Sequence, residues 1–181
     1  ERYFRNVKNF KVPKLLGTAE FADENRASAY IVETTAEGKS INSLIKDVKT
    51  AKGIEKHRNY EVLKRSVVQT AKSFAELHML KKKSSYSAYY DEEYSAVTSE
   101  PLECPYGMIH GDAHLGNIFY DDKSGKTTFI DLSFMPESLK GAPVGLDSGK
   151  FIFTLGALAE FYGLDEAQTS ELLNSYQTTY L

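Results

Sequence analysis

His110-Gly111-Asp112-Ala113-His114-Leu115-Gly116-Asn117, answered a short way on by Ile130-Asp131-Leu132, is the stretch on which the reading of this chain turns. Met108-Ile109-His110 is a short apolar run of β type. Ile118-Phe119-Tyr120 and Thr127-Thr128-Phe129-Ile130 are two more, joined by the polar turn Asp121-Asp122-Lys123-Ser124-Gly125. The pattern predicts a small sheet: strand, loop, strand, hairpin, strand. The loop after His110 keeps Asp112 and Asn117 at one mouth, and the hairpin returns Asp131 beside them. An aspartate in such a turn is usually a cap or an Asx turn. It is the convergence of three oxygen-bearing side chains that singles these positions out. Two carboxylates and an amide suit phosphoryl transfer, which asks for one carboxylate to orient an attacking hydroxyl and hard oxygen ligands for Mg²⁺ on the phosphates. His110 reads as a buried hydrogen-bonding residue of the loop, and His114 and His78 as packing residues. The four histidines lack a zinc-type spacing.

Outward from this centre, Leu63, Val67, Ala71, Phe74 and His78 recur at spacings of four, four, three and four, one face of a helix running from Asn59. Before it, residues 1–9 read as helical and Pro13 ends that run. Residues 14–21 and 27–33 read as a hairpin around Asp23-Glu24-Asn25. Glu37-Gly38-Lys39 is a break, and Ser40 is an N-cap for a helix from Ile41 to about Lys49, followed by a linker poor in helix. Residues 81–105 show no period and read as a loop or short helix. There Lys81-Lys82-Lys83 suits a solvated helix end, and Tyr86, Tyr89, Tyr90 and Tyr94 suit a packed loop better than a cage for a quaternary ammonium group. Asp147 or Ser148 is the expected cap of an apolar helix that stops at Gly163, and Asp165 the cap of a last helix.

The chain has 181 residues, 41% of them hydrophobic and 12% aromatic, enough for one core and too many for global disorder. With 22 Lys+Arg against 25 Asp+Glu and no basic block, the net charge of −3 argues against a nucleic-acid surface, and the slight acidity is compatible with cationic acceptors. The single cysteine, Cys104, excludes an intrachain disulfide and a thiolate metal site. No apolar run is long enough for a membrane span, and the charged start carries no signal-type core, so the expected location is cytoplasmic.

Taken together, HGDAHLGN, the strand-ending IDLSF, Phe74-Ala75-Glu76-Leu77-His78 and the entry Gly145-Leu146-Asp147 resemble the aminoglycoside phosphotransferase and choline kinase branch of the protein-kinase-like fold, over roughly residues 12–165. The resemblance implies an α+β fold with a mostly helical C-lobe, small β-hairpins and a partial N-lobe sheet, divided into 1–36 (partial N-lobe and hinge) and 37–181 (C-lobe). It implies ATP and Mg²⁺ as cofactors and a small-molecule hydroxyl (aminoglycoside, choline-like or sugar) as acceptor. Asp112 would be the catalytic base, and Asn117 and Asp131 the metal ligands. Asp147, with His110, would support the catalytic loop through hydrogen bonds. Backbone groups around Glu33 and Thr35 would meet the adenine ring, over an apolar floor of Phe119 and Ile130.

The interval from Asp131 to Asp147, 16 positions, is short for a phosphorylated activation segment. Together with HGD in place of HRD, it favours the small-molecule branch. Ser133 stands where protein kinases carry the glycine after Asp-Phe. The front end departs from the family, because neither a glycine-rich phosphate loop nor a strand lysine precedes the hinge, and a fragment of a longer polypeptide is the simplest expectation. Two alternatives stay open: a compact protein kinase of effector type, and a binding or regulatory module that has lost catalysis. The sequence leaves the oligomeric state open.

Overall fold

The computed structural model describes residues 4, 6–22, 27–80, 106–131 and 142–181. Expectations for residues 1–3 and 5, the turn at Asp23-Glu24-Asn25, the lysine run, the tyrosines and the rest of 81–105, and Ser133 lie outside these residues.

The fold is α+β. Among the described residues its elements run β1 (Phe10–Lys11), β2 (Leu15–Ala22), β3 (Ala27–Glu33), β4 (Lys39–Ser40), α1 (Ile41–Thr50), α2 (Gly53–Met79), β5 (Tyr106–Gly107), β6 (Ile118–Asp121), β7 (Lys126–Phe129), β8 (Ala142–Pro143), α3 (Gly145–Phe161) and α4 (Glu166–Tyr180). The hairpin β2–β3 is antiparallel, with Leu15 opposite Glu33. The expected small sheet is a four-stranded one, β1-β7-β6-β4. β6 and β7 pair antiparallel with Ile118 opposite Phe129. β1 joins β7 in parallel and β4 joins β6. The sheet thus draws on both sides of the division expected at residue 36.

α2 is the spine. Leu63, Val67, Ala71, Phe74 and His78 are all buried along it, as the spacing requires, and they meet Ile41, Leu44, Ile45 and Val48 of α1, Phe151 and Leu155 of α3, and Leu172 and Tyr176 of α4. Each such side chain contributes about 1.5–3 kcal/mol through burial. Rings carry the core from sheet to helices: Phe129 stacks on Phe74 at 5.0 Å between centroids, and Phe151 lies 4.8 Å from Tyr176. Ser40 caps α1 by accepting from Ser43 N at 3.2 Å, and Asp165 with Gln168 closes a capping box on α4.

Several expectations are corrected. Among the described residues of the first nine there is no α-helix. Lys8 N and Asn9 N donate to the Glu76 carboxylate at 2.8 and 2.7 Å, so these amides bind α2 rather than a helical turn of their own. The linker before α2 is only Ala51 and Lys52, because the helix starts at Gly53 on exposed residues that show no apolar period. Met108, Ile109 and His110 are buried but not a strand; the strand is Tyr106–Gly107, paired with β8. The N-cap of α3 is Val144, without a side-chain bond, and neither Asp147 nor Ser148 caps it.

Gly38 sits at the turn into β4 with φ +86°, and a Cβ there would lie 2.0 Å from Tyr120 O. Gly38→Ala combines a disfavoured backbone with a backbone clash, so a loss of at least about 2 kcal/mol in urea unfolding is expected. A variant as stable as the wild type would mean the turn is not packed on β6. Among the described residues no helix is long and apolar enough to cross a membrane.

Candidate functional site

The loop 110–117 is suspended from α3. Asp147, on the first turn of that helix and 1% exposed, turns inward and accepts from His110 N at 2.6 Å and from Gly111 N at 2.9 Å. His78 of α2 donates from Nε2 to the same carboxylate at 3.1 Å, and its Nδ1 meets the Tyr180 hydroxyl at 2.7 Å. A buried carboxylate is tolerable only with such donors around it, and the N-terminal turn of α3 adds a favourable dipole. The amides of His110 and Gly111 are thus satisfied by a side chain rather than by a strand partner. Gly111 takes φ +85°, which lets the chain turn immediately after the two bonds.

Within the loop, His110 accepts from Asp112 N on Nδ1 at 3.2 Å and donates from Nε2 to Ile130 O at 2.9 Å. That bond ties the loop to the end of β7. Burial pushes the His110 imidazole below its ordinary value, more than the nearby Asp147, Asp112 and Asp131 charges restore. The folded ring is therefore neutral where an unfolded histidine begins to charge. The unfolded state binds the extra proton, so this contribution to stability is full above about pH 6.5 and declines as the pH falls below it. Urea midpoints between pH 7.5 and 5 are expected to fall more steeply for the wild type than for His110→Gln; equal slopes would remove the assignment.

Asp112 and Asn117 are together. Asn117, buried, donates from Nδ2 to Asp112 O at 3.2 Å and to Asp112 Oδ2 at 3.4 Å. Both bonds use the amide nitrogen, which leaves Oδ1 as the atom of Asn117 suited to a hard cation. Asn117 O in turn accepts from Ile130 N at 3.0 Å, so the loop and the strand leading to Asp131 are cross-linked at the backbone. Asp131 follows with φ 58°, the one non-glycine of positive φ among the described residues, a left-handed turn conformation that Asp adopts more readily than most residues. Among the described residues no group of three or more His, Cys, Asp or Glu side chains is gathered for a metal ion. Asn117 offers its amide oxygen here, and Asp131 follows the cross-linked Ile130 in the chain; an amide oxygen and a carboxylate are chemically suited to Mg²⁺ where phosphates and water supply most of the shell.

One residue of the site was not anticipated. Lys150 of α3 places Nζ against Asp112 Oδ1. Partial burial alone would raise the Asp112 carboxyl. The Lys150 ammonium bonded to it, with smaller contributions from His114 and His110, outweighs that and holds it below the ordinary aspartate value. The signal was present as a spacing, since Lys150 follows Asp147 by three positions and so shares its side of the helix. His114 is not a packing residue: its side chain is 43% exposed, Nδ1 accepts from Gly116 N at 3.0 Å, and Nε2 stands 3.7 Å from Asp112 Oδ2.

The residues expected around an adenine ring are less gathered. Glu33 ends β3 and is exposed, Thr35 is exposed, and Phe119 and Ile130 are half-buried. A cavity of about 700 Å³ opens beside residues 34–37, walled in part by Phe10, Lys11, Thr34, Thr35, Lys126 and Thr128. Of the four, only Thr35 lines it. Phe119 lies just beyond its wall, directly across the strand pair from Thr128. No protein-family model matches the chain, and no curated protein matches it either.

Proposed function

We propose that this chain carries the catalytic lobe of a protein-kinase-like phosphotransferase, which uses ATP and Mg²⁺ to phosphorylate a hydroxyl of a small molecule. The observation that supports it is the pairing of Asp112 with Asn117 in a loop hung from the buried Asp147 and cross-linked to the strand that ends at Asp131. Such a loop holds a carboxylate rigidly beside an amide, which is the positioning that phosphoryl transfer needs most.

In this reading Asp112 accepts a hydrogen bond from the acceptor hydroxyl, aligns it on the γ-phosphate and takes its proton as the new P–O bond forms, while the bond from the γ-phosphorus to the β,γ-bridging oxygen breaks and ADP leaves with that electron pair. Asn117 Oδ1 and the Asp131 carboxylate would hold the magnesium ion. That ion, when bound, neutralises charge on the phosphates. Asp147 and His110 fix the loop's backbone, and Lys150 keeps Asp112 ionised. The hinge contributes backbone groups of Glu33 and Thr35 to an adenine ring, with Phe119 and Ile130 beneath it. Thr34 between them is committed to Lys14 by two hydrogen bonds of 2.9 Å, which stiffens the hinge.

The test is incubation of the chain with γ-labelled MgATP, a small-molecule extract and a protein lysate. Label moving to small molecules, and lost when EDTA removes the metal, is the expected result. Label confined to polypeptides would shift the acceptor to protein, and no transfer or hydrolysis under any condition would end the phosphotransferase reading.

A further inference from the structure

The surroundings of Asp112 differ at its two oxygens. Oδ2 faces the Asn117 amide at 3.4 Å and His114 Nε2 at 3.7 Å. Oδ1 is held by Lys150, whose side chain is 44% exposed and reaches in over the rim of the loop. The pair is self-neutral, so a hydroxyl that comes to Oδ1 displaces an ammonium group that then needs another counter-charge nearby. Groups on the carbons next to a bound hydroxyl lie within roughly 4–6 Å of that ammonium, since the hydrogen bond itself spans about 3 Å. At that range an anion on the acceptor is attracted and a cation is repelled, with little screening by salt because the Debye length is about 8 Å. Two further carboxylates border the loop: Asp147 is engaged by His110 N, Gly111 N and His78, and Asp131 would hold the metal in the phosphotransferase reading.

We propose, resting on that reading, that Lys150 determines acceptor specificity: the substrate is an alcohol with a carboxylate or phosphate close to the reacting hydroxyl, and amino alcohols and quaternary ammonium alcohols are rejected. This runs against the cationic acceptors that the mildly acidic composition is compatible with. Net charge governs the approach of a ligand, whereas the side chain bonded to the base governs what fits beside it.

Glycerate, glycerol and choline, each with MgATP, form the test set. Phosphorylation is read by ³¹P NMR and binding by the shift of the Asp112 amide signal, in the wild type, Lys150→Met and Lys150→Glu. Lys150 is exposed, so both variants are expected to fold, which thermal unfolding checks. The expected order is glycerate, glycerol, choline, with glycerate favoured over choline at least about tenfold. The ratio is expected to collapse in Lys150→Met and to invert in Lys150→Glu. If no probe is phosphorylated, the phosphotransferase reading is what suffers, and the order of binding still decides the role of Lys150. Equal or stronger binding of choline by the wild type overturns it. So does a preference unchanged in Lys150→Met, or no response to any probe.

Discussion

Asp112→Asn is expected to lower MgATP-dependent phosphate transfer by at least about 10²-fold, the contribution of a positioned general base. The amide keeps the size of the carboxylate and still offers Asn117 an oxygen, so the loop should hold its shape. What disappears is the ability to take a proton, together with the attraction to Lys150. Both partners of that ion pair are partly exposed, so its loss should change stability by no more than about 1 kcal/mol. Rate and unfolding midpoint therefore separate in this variant. Activity kept within twofold would remove Asp112 from the reaction. The pH profile gives a second check. Lys150 holds the carboxyl below the 3.8 of an ordinary aspartate, so Asp112 is ionised at all pH values above that range and its acid limb lies below it. In Lys150→Met the limb should move upward.

Asp147→Ala should show the opposite separation, with a large loss of stability. Removing this side chain leaves the buried amide of His110, the partly buried amide of Gly111 and one nitrogen of His78 without their acceptor. An unsatisfied buried donor costs about 1–3 kcal/mol, and the combined loss should reach about 3–5 kcal/mol, a large share of the 5–15 kcal/mol typical of a domain. Urea unfolding measures it directly. Asp147→Asn retains one acceptor and should lose about half as much. Should the alanine variant unfold at the wild-type midpoint, the loop is supported by something other than α3.

What the sequence revealed and what it concealed divide along a physical line. The buried face of α2, the Ser40 cap, the Asp165 cap and the β6–β7 hairpin follow from rules acting within a few residues, and all could be read directly. Residues 108–110 misled because burial makes a strand-like composition, whereas the amide of His110 goes to the side chain of Asp147, 37 positions away. Asp147 misled only as a cap, because an acid at the start of a helix normally caps it; its bonds to the loop were expected from the resemblance and not from any local rule. The first nine residues were read as helical because nothing local discloses that Glu76 takes two of their amides. At the candidate site, Asp112 and Asn117 could be named from spacing alone. Lys150 was missed, because its spacing of three from Asp147 marks a site only once Asp147 is known to face the loop rather than to cap the helix.

The chain of contacts from Tyr180 through His78 to Asp147 has one more consequence. The closing turn of α4 and the loop that bears Asp112 lie far apart along the polypeptide, yet they share one carboxylate. Unwinding that turn would withdraw the phenol from His78, loosen the imidazole and free one oxygen of Asp147 to shift. The loop at 110–117 is therefore sensitive to strain applied at the last turn of α4, through a relay only two side chains long.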